Sequence, residues 1–123
     1  MDKKKVLIVE DDPDIVEAIR FNLELENIEC LAAYEGEAGL LMAKNEHPDL
    51  ILLDIMLPKI NGYKISRLLK FDESYKNIPI IMLTARTQEK DKKIGEETGA
   101  DEYVTKPFDM AMLVGLVKKY LTL

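Results

Sequence analysis

Acidic side chains and one lysine stand at three separated places in the chain. They are Glu10-Asp11-Asp12, Asp54 and Lys106-Pro107, and each directly follows an apolar or strand-like run. Because parallel strands all point the same way, groups just past their ends converge on one rim of the sheet, where open α/β proteins bind ligands. Carboxylates that lie close together repel one another unless a hard divalent cation binds among them, and Mg²⁺ prefers such oxygen ligands. These residue types therefore predict a metal site suited to phosphate chemistry.

The segments that must position these residues alternate between strand and helix patterns. Three continuous apolar runs predict central strands buried on both faces: Val6–Val9, Leu50–Leu53 and Ile80–Leu83. Two weaker runs predict outer strands: Glu29–Ala33 and Glu102–Val104. Five helical patterns follow them, one beginning at Pro13 with Asp12 as its N-cap, then about Gly36–Asn45, Gly62–Lys70 and Gln88–Thr98, and a final amphipathic stripe over 113–121. This alternation predicts a three-layer α/β sandwich, with a five-stranded parallel sheet covered by helices on both faces.

The size and charge of the chain exclude several classes of function. A length of 123 residues predicts one domain over 1–123. A net charge of −6 argues against direct binding of nucleic acid, so proteins are the expected partners. No stretch reaches the roughly 18 apolar residues that a membrane span needs. Cys30 is the only cysteine, which leaves no internal disulfide and favours a reducing, cytoplasmic compartment.

The candidate residues differ in how much each implies when it is taken alone. Taken alone, Asp12 is better explained as a helix cap and Asp11 as a solvated acid than as functional residues. Asp54 is harder to explain structurally, because it ends a strand that contains no other polar residue. Thr84 and Lys106 are common after strands, but together with the acids they complete a set: a nucleophile, metal ligands, a hydroxyl donor and a cation for a phosphoryl group.

The chain resembles the receiver domains of response regulators in two-component phosphorelays. The resemblance rests on four segments in order, which read VLIVEDD at 6–12, LILLDIMLPKING at 50–62, IIMLTA at 80–85 and GADEYVTKPF at 99–108. It implies a CheY-like, flavodoxin-like doubly wound sheet with strand order 2-1-3-4-5. It also implies a phosphorylation-controlled switch that self-phosphorylates and slowly self-dephosphorylates, and is not a classical enzyme.

The resemblance assigns a role to each matched residue. Asp54 is implied to be the phosphoacceptor, and Mg²⁺ (or Mn²⁺) is implied to bind Asp11, Asp12, Asp54 and the backbone carbonyl of Met56. Thr84 is implied to hydrogen-bond the phosphoryl group and Lys106 to pair with it. Pro107 is implied to follow a cis peptide bond, and Tyr103 matches the switch aromatic.

The same resemblance implies the partners and the output. A sensor histidine kinase, a phosphotransfer protein or a small phosphodonor would supply the phosphoryl group, and the face formed by the fourth helix, fifth strand and fifth helix would respond and bind an effector. That face also supports a weak homodimer in the transcription-factor branch of the family. Met112 and Leu116 replace the glutamate and arginine usual there, which removes its ion pairs. Asn61 is a further departure, expected to alter loop charge. Arg86 and Met56 border the pocket at positions where members of the family vary, and they are expected to tune the lifetime of the phosphorylated state.

Two other classes of function were weighed against the switch. A phosphatase of the haloacid-dehalogenase type also forms an aspartyl phosphate, but it needs an acid two residues after the nucleophile, where this chain has Met56. A flavodoxin-like module that binds FMN needs a hydroxyl-rich phosphate loop after the first strand. The acids of Glu10-Asp11-Asp12 would repel that phosphate.

Overall fold

The computed structural model describes residues 3–84 and 99–123. In this part of the chain the strands and helices alternate, in the order β1 (Lys5–Val9), α1 (Pro13–Glu24), β2 (Glu29–Ala33), α2 (Gly36–Glu46), β3 (Leu50–Asp54), α3 (Gly62–Lys70), β4 (Ile80–Thr84), β5 (Glu102–Thr105) and α4 (Met110–Leu121). The helix predicted over 88–98 and the predicted tuning residue Arg86 lie outside the described residues. The helix called α4 here is therefore the fifth helix of the sequence-based prediction.

All five strands form one parallel sheet in the order β2-β1-β3-β4-β5. This confirms the predicted fold class and strand order. The register brings the carboxyl ends of the central strands to one level, because Val9 pairs with Leu53 across β1 and β3. Asp54 in turn pairs with Leu83 across β3 and β4, one residue before Thr84.

Two apolar clusters, one on each face of the sheet, hold the three layers together. On one face, α1 and α4 pack through residues such as Ile19 and Val117; on the other, α2 and α3 pack through residues such as Ala43 and Leu69. Neighbouring residues of a central strand point to opposite faces, so the continuous apolar runs serve both clusters at once. Such two-sided burial removes the whole strand from water and makes the sheet a rigid platform for groups at its rim.

Polar caps fix where the helices begin next to the rim. The side chain of Asp12 accepts a hydrogen bond from the backbone N–H of Asp14 at 2.9 Å, and Pro13 occupies the first helical position. Asn61 caps α3 in the same way, accepting from the N–H of Lys64 at 3.0 Å. Asn61 therefore has a local structural role in addition to the loss of loop charge expected from the sequence.

Close packing of α2 on β1 requires a glycine at position 39. A Cβ built there would lie 2.6 Å and 2.9 Å from the two methyl carbons of Val9. The helix consequently lies close against the strand that leads to Glu10. Within the described residues, no helix combines the length and the apolar content that a membrane crossing requires.

Candidate functional site

Glu10 is the first residue past β1 and is almost completely buried, with 1% of its surface exposed. Its backbone N–H donates to the carbonyl of Ala33, which extends the pairing with β2 by one residue. Both carboxylate oxygens have partners: Oε2 accepts from the backbone N–H of Asp12 at 3.0 Å, and Oε1 lies 2.5 Å from Nζ of Lys106. The short contact with Lys106 is typical of a charge-assisted hydrogen bond.

Asp54 ends β3 at the same rim, with 5% of its side chain exposed. Its Oδ1 lies 3.4 Å from Nζ of Lys106 and accepts the backbone N–H of Met56 at 3.3 Å. That hydrogen bond brings the backbone of Met56 beside the carboxylate, whereas the residue as a whole is 73% exposed. Lys106, 19% exposed, therefore lies between two buried carboxylates.

Three carboxylates meet at this point, and they are not quite the three expected from the sequence. Oxygens of Glu10, Asp11 and Asp54 all lie within 4.8 Å of one another. Among the described residues Asp12 is not in this group, since its side chain caps α1. The structure thus brings Asp11 to Asp54 as predicted and adds Glu10, while the assignment of Asp12 as a metal ligand stays a prediction.

A signal for Glu10 was present in the sequence but was not used. The apolar run ends at Val9, so Glu10 is the residue that directly follows the strand, as Asp54 follows Leu53. The pairing of Val9 with Leu53 then sets Glu10 and Asp54 side by side. Reading the two strand ends in register would have selected Glu10, whereas the assignment of Asp12 as a ligand came from the family resemblance.

Burial and charge act against each other on the ionisable groups of the site. Burial raises the pKa of Asp54 above its usual value, and the positive charge of Lys106 only partly opposes this. Burial likewise raises the pKa of Glu10, against the hydrogen bond from Lys106. Burial alone would lower the pKa of Lys106, but the hydrogen bond to Glu10 and the charges of Asp54 and Glu10 outweigh it and raise the pKa. The lysine therefore stays charged, and the carboxylates depend on it for neutralisation.

The remaining predicted residues lie on β4, β5 and the turn after β5. Thr84 ends β4 as a buried residue, and its carbonyl accepts the backbone N–H of Lys106 at 2.5 Å. The peptide bond between Lys106 and Pro107 is cis, which confirms that prediction. Tyr103 is half-buried on β5, where it pairs with Met82 and packs against the cluster beneath α2 and α3.

The acidic group suits a divalent cation by its chemistry. All three members offer carboxylate oxygens, the hard ligands that Mg²⁺ and Mn²⁺ accept. Among the residues that the structure describes, Lys106 is the cation that contacts Glu10 and Asp54. An acidic pocket flanked by one lysine and one threonine lies at the carboxyl ends of the parallel strands, where doubly wound α/β sheets bind ligands.

Comparison with known proteins identifies the class. The family model of the response regulator receiver domain matches residues 6–118, and the chain belongs to that family. It is 46% identical over 96% of its length to the phosphate regulon transcriptional regulatory protein PhoB of Pseudomonas aeruginosa, and covers 52% of that protein. The chain spans about half the length of the curated relatives it matches.

Solved structures agree with this family. A response regulator from Chloroflexus aurantiacus superposes with a TM-score of 0.92 at 34% identity, with 99% of this chain and 100% of that chain covered. The BeF₃-activated receiver domain of DrrB, from Thermotoga maritima, gives a TM-score of 0.88 at 31% identity, with 99% and 100% covered. The chain is thus a receiver domain of two-component signalling, and these findings give no support to the phosphatase alternative of haloacid-dehalogenase type.

Proposed function

We propose that this receiver is a phosphorylation-controlled switch in which Asp54 accepts a phosphoryl group in a reaction that depends on Mg²⁺. The observation that carries the proposal is the convergence of Glu10, Asp11 and Asp54 within 4.8 Å, with Lys106 between Glu10 and Asp54. Placing acidic groups close together costs stability, so the needs of the fold do not explain the acidic group. The need to bind a cation and a phosphoryl group would explain it.

In the proposed reaction an oxygen of Asp54 forms a bond to phosphorus as the bond from phosphorus to the donor group breaks. Phosphoryl transfer passes through a loose transition state, in which the protein chiefly positions groups and neutralises oxygens. Lys106 provides a fixed positive charge beside Asp54, and Thr84 would donate its hydroxyl to the transferred group. The product is an acyl phosphate, which hydrolyses slowly and limits the life of the signal.

Asp11, Asp54 and the backbone carbonyl of Met56 would hold the cation. Asp11 is the exposed member of the acidic group, and Met56 is placed by its own hydrogen bond to Asp54. When bound, Mg²⁺ or Mn²⁺ would add positive charge at the phosphoryl oxygens. Asp12 remains a candidate at the edge of the site, where its cap to α1 competes for its carboxylate.

The signal would leave the site through Thr84, Tyr103 and Pro107. A phosphoryl group on Asp54 would draw Thr84 inward and make room for Tyr103 to turn, which shifts a pre-existing equilibrium toward the active conformation. Tyr103 is suited to this because it is only half-buried on the outermost strand. The responding face comprises β5, α4 and the helix predicted over 88–98.

The proposed partners follow from this role. A cytoplasmic sensor histidine kinase or phosphotransfer protein would donate the phosphoryl group to the single receiver unit formed by 1–123, and an effector would bind the responding face. A weak homodimer through that face would lack the ion pairs usual in the family. Met112 is exposed and apolar, and Leu116 packs against the core beneath α4.

The test is labelling by acetyl phosphate with and without Mg²⁺, read by intact mass. We expect wild type to gain one phosphate only when Mg²⁺ is present, and Asp54→Asn, which keeps the size of the side chain, to gain none. Asp14→Asn removes an exposed acid of the first turn of α1 and serves as the matched control, expected to label like wild type. Equal labelling of the Asp54 variant would show that another residue is the phosphoacceptor.

A further inference from the structure

The outward face of α1 is apolar at its centre and acidic at its edge. Phe21 is 64% exposed, and Leu25, which directly follows the helix, is exposed as well. Glu17 and Glu24 are exposed and flank Phe21, because residues three and four apart are neighbours on a helix surface. Glu17 pairs with Arg20 at 3.4 Å, whereas among the described residues no cation forms an ion pair with Glu24. This face therefore offers an aromatic ring bordered by negative charge.

The outward face of α3 has the same layout with the opposite charge. Phe71, which directly follows the helix, is 72% exposed, and Leu68 beside it is exposed too. Lys64 and Arg67 lie exposed on the same face, because they precede Leu68 and Phe71 by one helical turn. Neither cation forms an ion pair within the part of the chain that the structure describes. In a chain of net charge −6, this face is a local basic patch around an exposed aromatic ring.

These two faces lie on opposite sides of the molecule. The helix α1 packs on one face of the sheet and α3 on the other, so their outward surfaces point away from each other. They cannot meet within one chain, but they can meet between two copies. A contact of α1 with α1, or of α3 with α3, would oppose like charges. A contact of α1 with α3 opposes unlike charges and removes both exposed phenylalanine rings from water.

We propose that the outward face of α1 binds the outward face of α3 of a second copy of this chain. A second copy is the occupant that the faces favour, because the chain itself carries both halves of a complementary pair. Such a contact is heterologous, so each copy keeps one unused face and further copies add head to tail. Two helical turns on each side make a small contact, so the assembly should be weak and form only at high protein concentration. It needs neither a metal nor a phosphoryl group, and it does not rest on the proposed reaction of Asp54.

The first test is sedimentation velocity of the full chain without Mg²⁺ or phosphodonor, from about 10 µM to about 1 mM protein. The sedimentation coefficient of wild type should rise with concentration, whereas Phe21→Ser and Phe71→Ser should each remain monomeric. Met112→Ser changes an exposed apolar residue of the responding face and should associate like wild type. A wild type that stays monomeric throughout would overturn the proposal and leave the two faces to other proteins. Association of both Phe variants like wild type would overturn it as well.

A mixture of the two Phe variants tests the head-to-tail order. Phe21→Ser retains the face of α3 and Phe71→Ser retains the face of α1, so one native contact remains possible between them. An equimolar mixture should therefore form a dimer that cannot extend. A mixture that stays monomeric, with native circular dichroism for both variants, would overturn the pairing of α1 with α3.

Charge reversal separates complementarity from general adhesion of apolar surfaces. Arg67→Glu should raise the dissociation constant at least about tenfold. Lys44→Glu makes the same change of net charge at an exposed position on α2 and should not. Glu24→Arg should also weaken association, although it reduces the general repulsion between acidic copies. A chain that carries both Glu24→Arg and Arg67→Glu opposes unlike charges again and should recover association. The absence of this recovery, or an equal loss in Lys44→Glu, would overturn the proposed contact.

Discussion

Replacement of Lys106 by methionine should destabilise the metal-free protein. The change keeps the length of the side chain but removes the ammonium from between Glu10 and Asp54, whose carboxylates are almost fully buried. At an effective dielectric constant of about 20, Coulomb's law gives about 7 kcal/mol for a contact of 2.5 Å. The contact of 3.4 Å gives about 5 kcal/mol on the same basis.

Most of this attraction is offset by the cost of taking the charges out of water. The net effect of breaking such a pair is about 3 kcal/mol, at the lower end of the range for buried pairs because a fifth of the Lys106 side chain is exposed. For a domain of this length, about 3 kcal/mol at the midpoint corresponds to a fall in Tm of roughly 10 °C. The carboxylates left behind would take up a proton or attract a cation, so the loss should shrink in the presence of Mg²⁺.

The assay is urea unfolding followed by circular dichroism at pH 7, with EDTA and then with saturating Mg²⁺. Lys64→Met is the matched control, because Lys64 lies exposed on α3, and it should change stability by less than about 0.5 kcal/mol. A loss of under about 0.5 kcal/mol for Lys106→Met in EDTA would refute the reasoning, since it would mean that the carboxylates do not need the lysine.

Three further predictions concern a helix–strand contact, the free cysteine and the metal site. Ala at position 39 would overlap the methyl groups of Val9, so Gly39→Ala should lower the free energy of unfolding in urea by about 1–2 kcal/mol. Gly115 on α4 has open space around it, so Gly115→Ala should raise the free energy of unfolding by up to about 1 kcal/mol. Burial raises the pKa of the Cys30 thiol to about 11, so at pH 8 the rate of its alkylation, followed by mass, should be about 100-fold lower in the folded protein than in urea. The protonated thiol contributes to the stability of the fold below about pH 9, and this contribution is lost as the pH rises toward 11. Mg²⁺ at ten times its Kd should stabilise wild type by about 1.4 kcal/mol in thermal unfolding, and Asp11→Asn should lose this response.

The sequence predicted the layers and the sheet because the relevant signals are local. Continuous apolar runs such as 50–53 identify strands buried on both faces, and each is followed by a helical pattern. The described strands begin or end within one residue of the predicted runs. The strand order came from family resemblance, since nothing local in a strand states which neighbour it pairs with.

The site was predicted less completely, and the reason is geometric. Asp54, Asp11 and Lys106 were identified because each follows a strand, and the structure brings all three to one rim. Choosing between Glu10 and Asp12 required the register of β1 against β3, which places Glu10 level with Asp54. The capping signal of Asp12 was real, and it explains why that carboxylate turns toward the helix.

The acidic group also shows why a functional site departs from what stability alone would select. The site crowds three carboxyl groups beside one ammonium, and two of the three, Glu10 and Asp54, are buried. An apolar residue at position 10 would avoid the cost of burying a carboxylate there, and the adjoining strand is apolar throughout 6–9. Glu10 is instead held through both oxygens, one by the helix start and one by Lys106. The rigid sheet tolerates these crowded carboxylates because both faces of its central strands are fully packed. The loss of stability therefore stays local to the rim, where a bound cation and a phosphoryl group would offset the repulsion between the carboxylates.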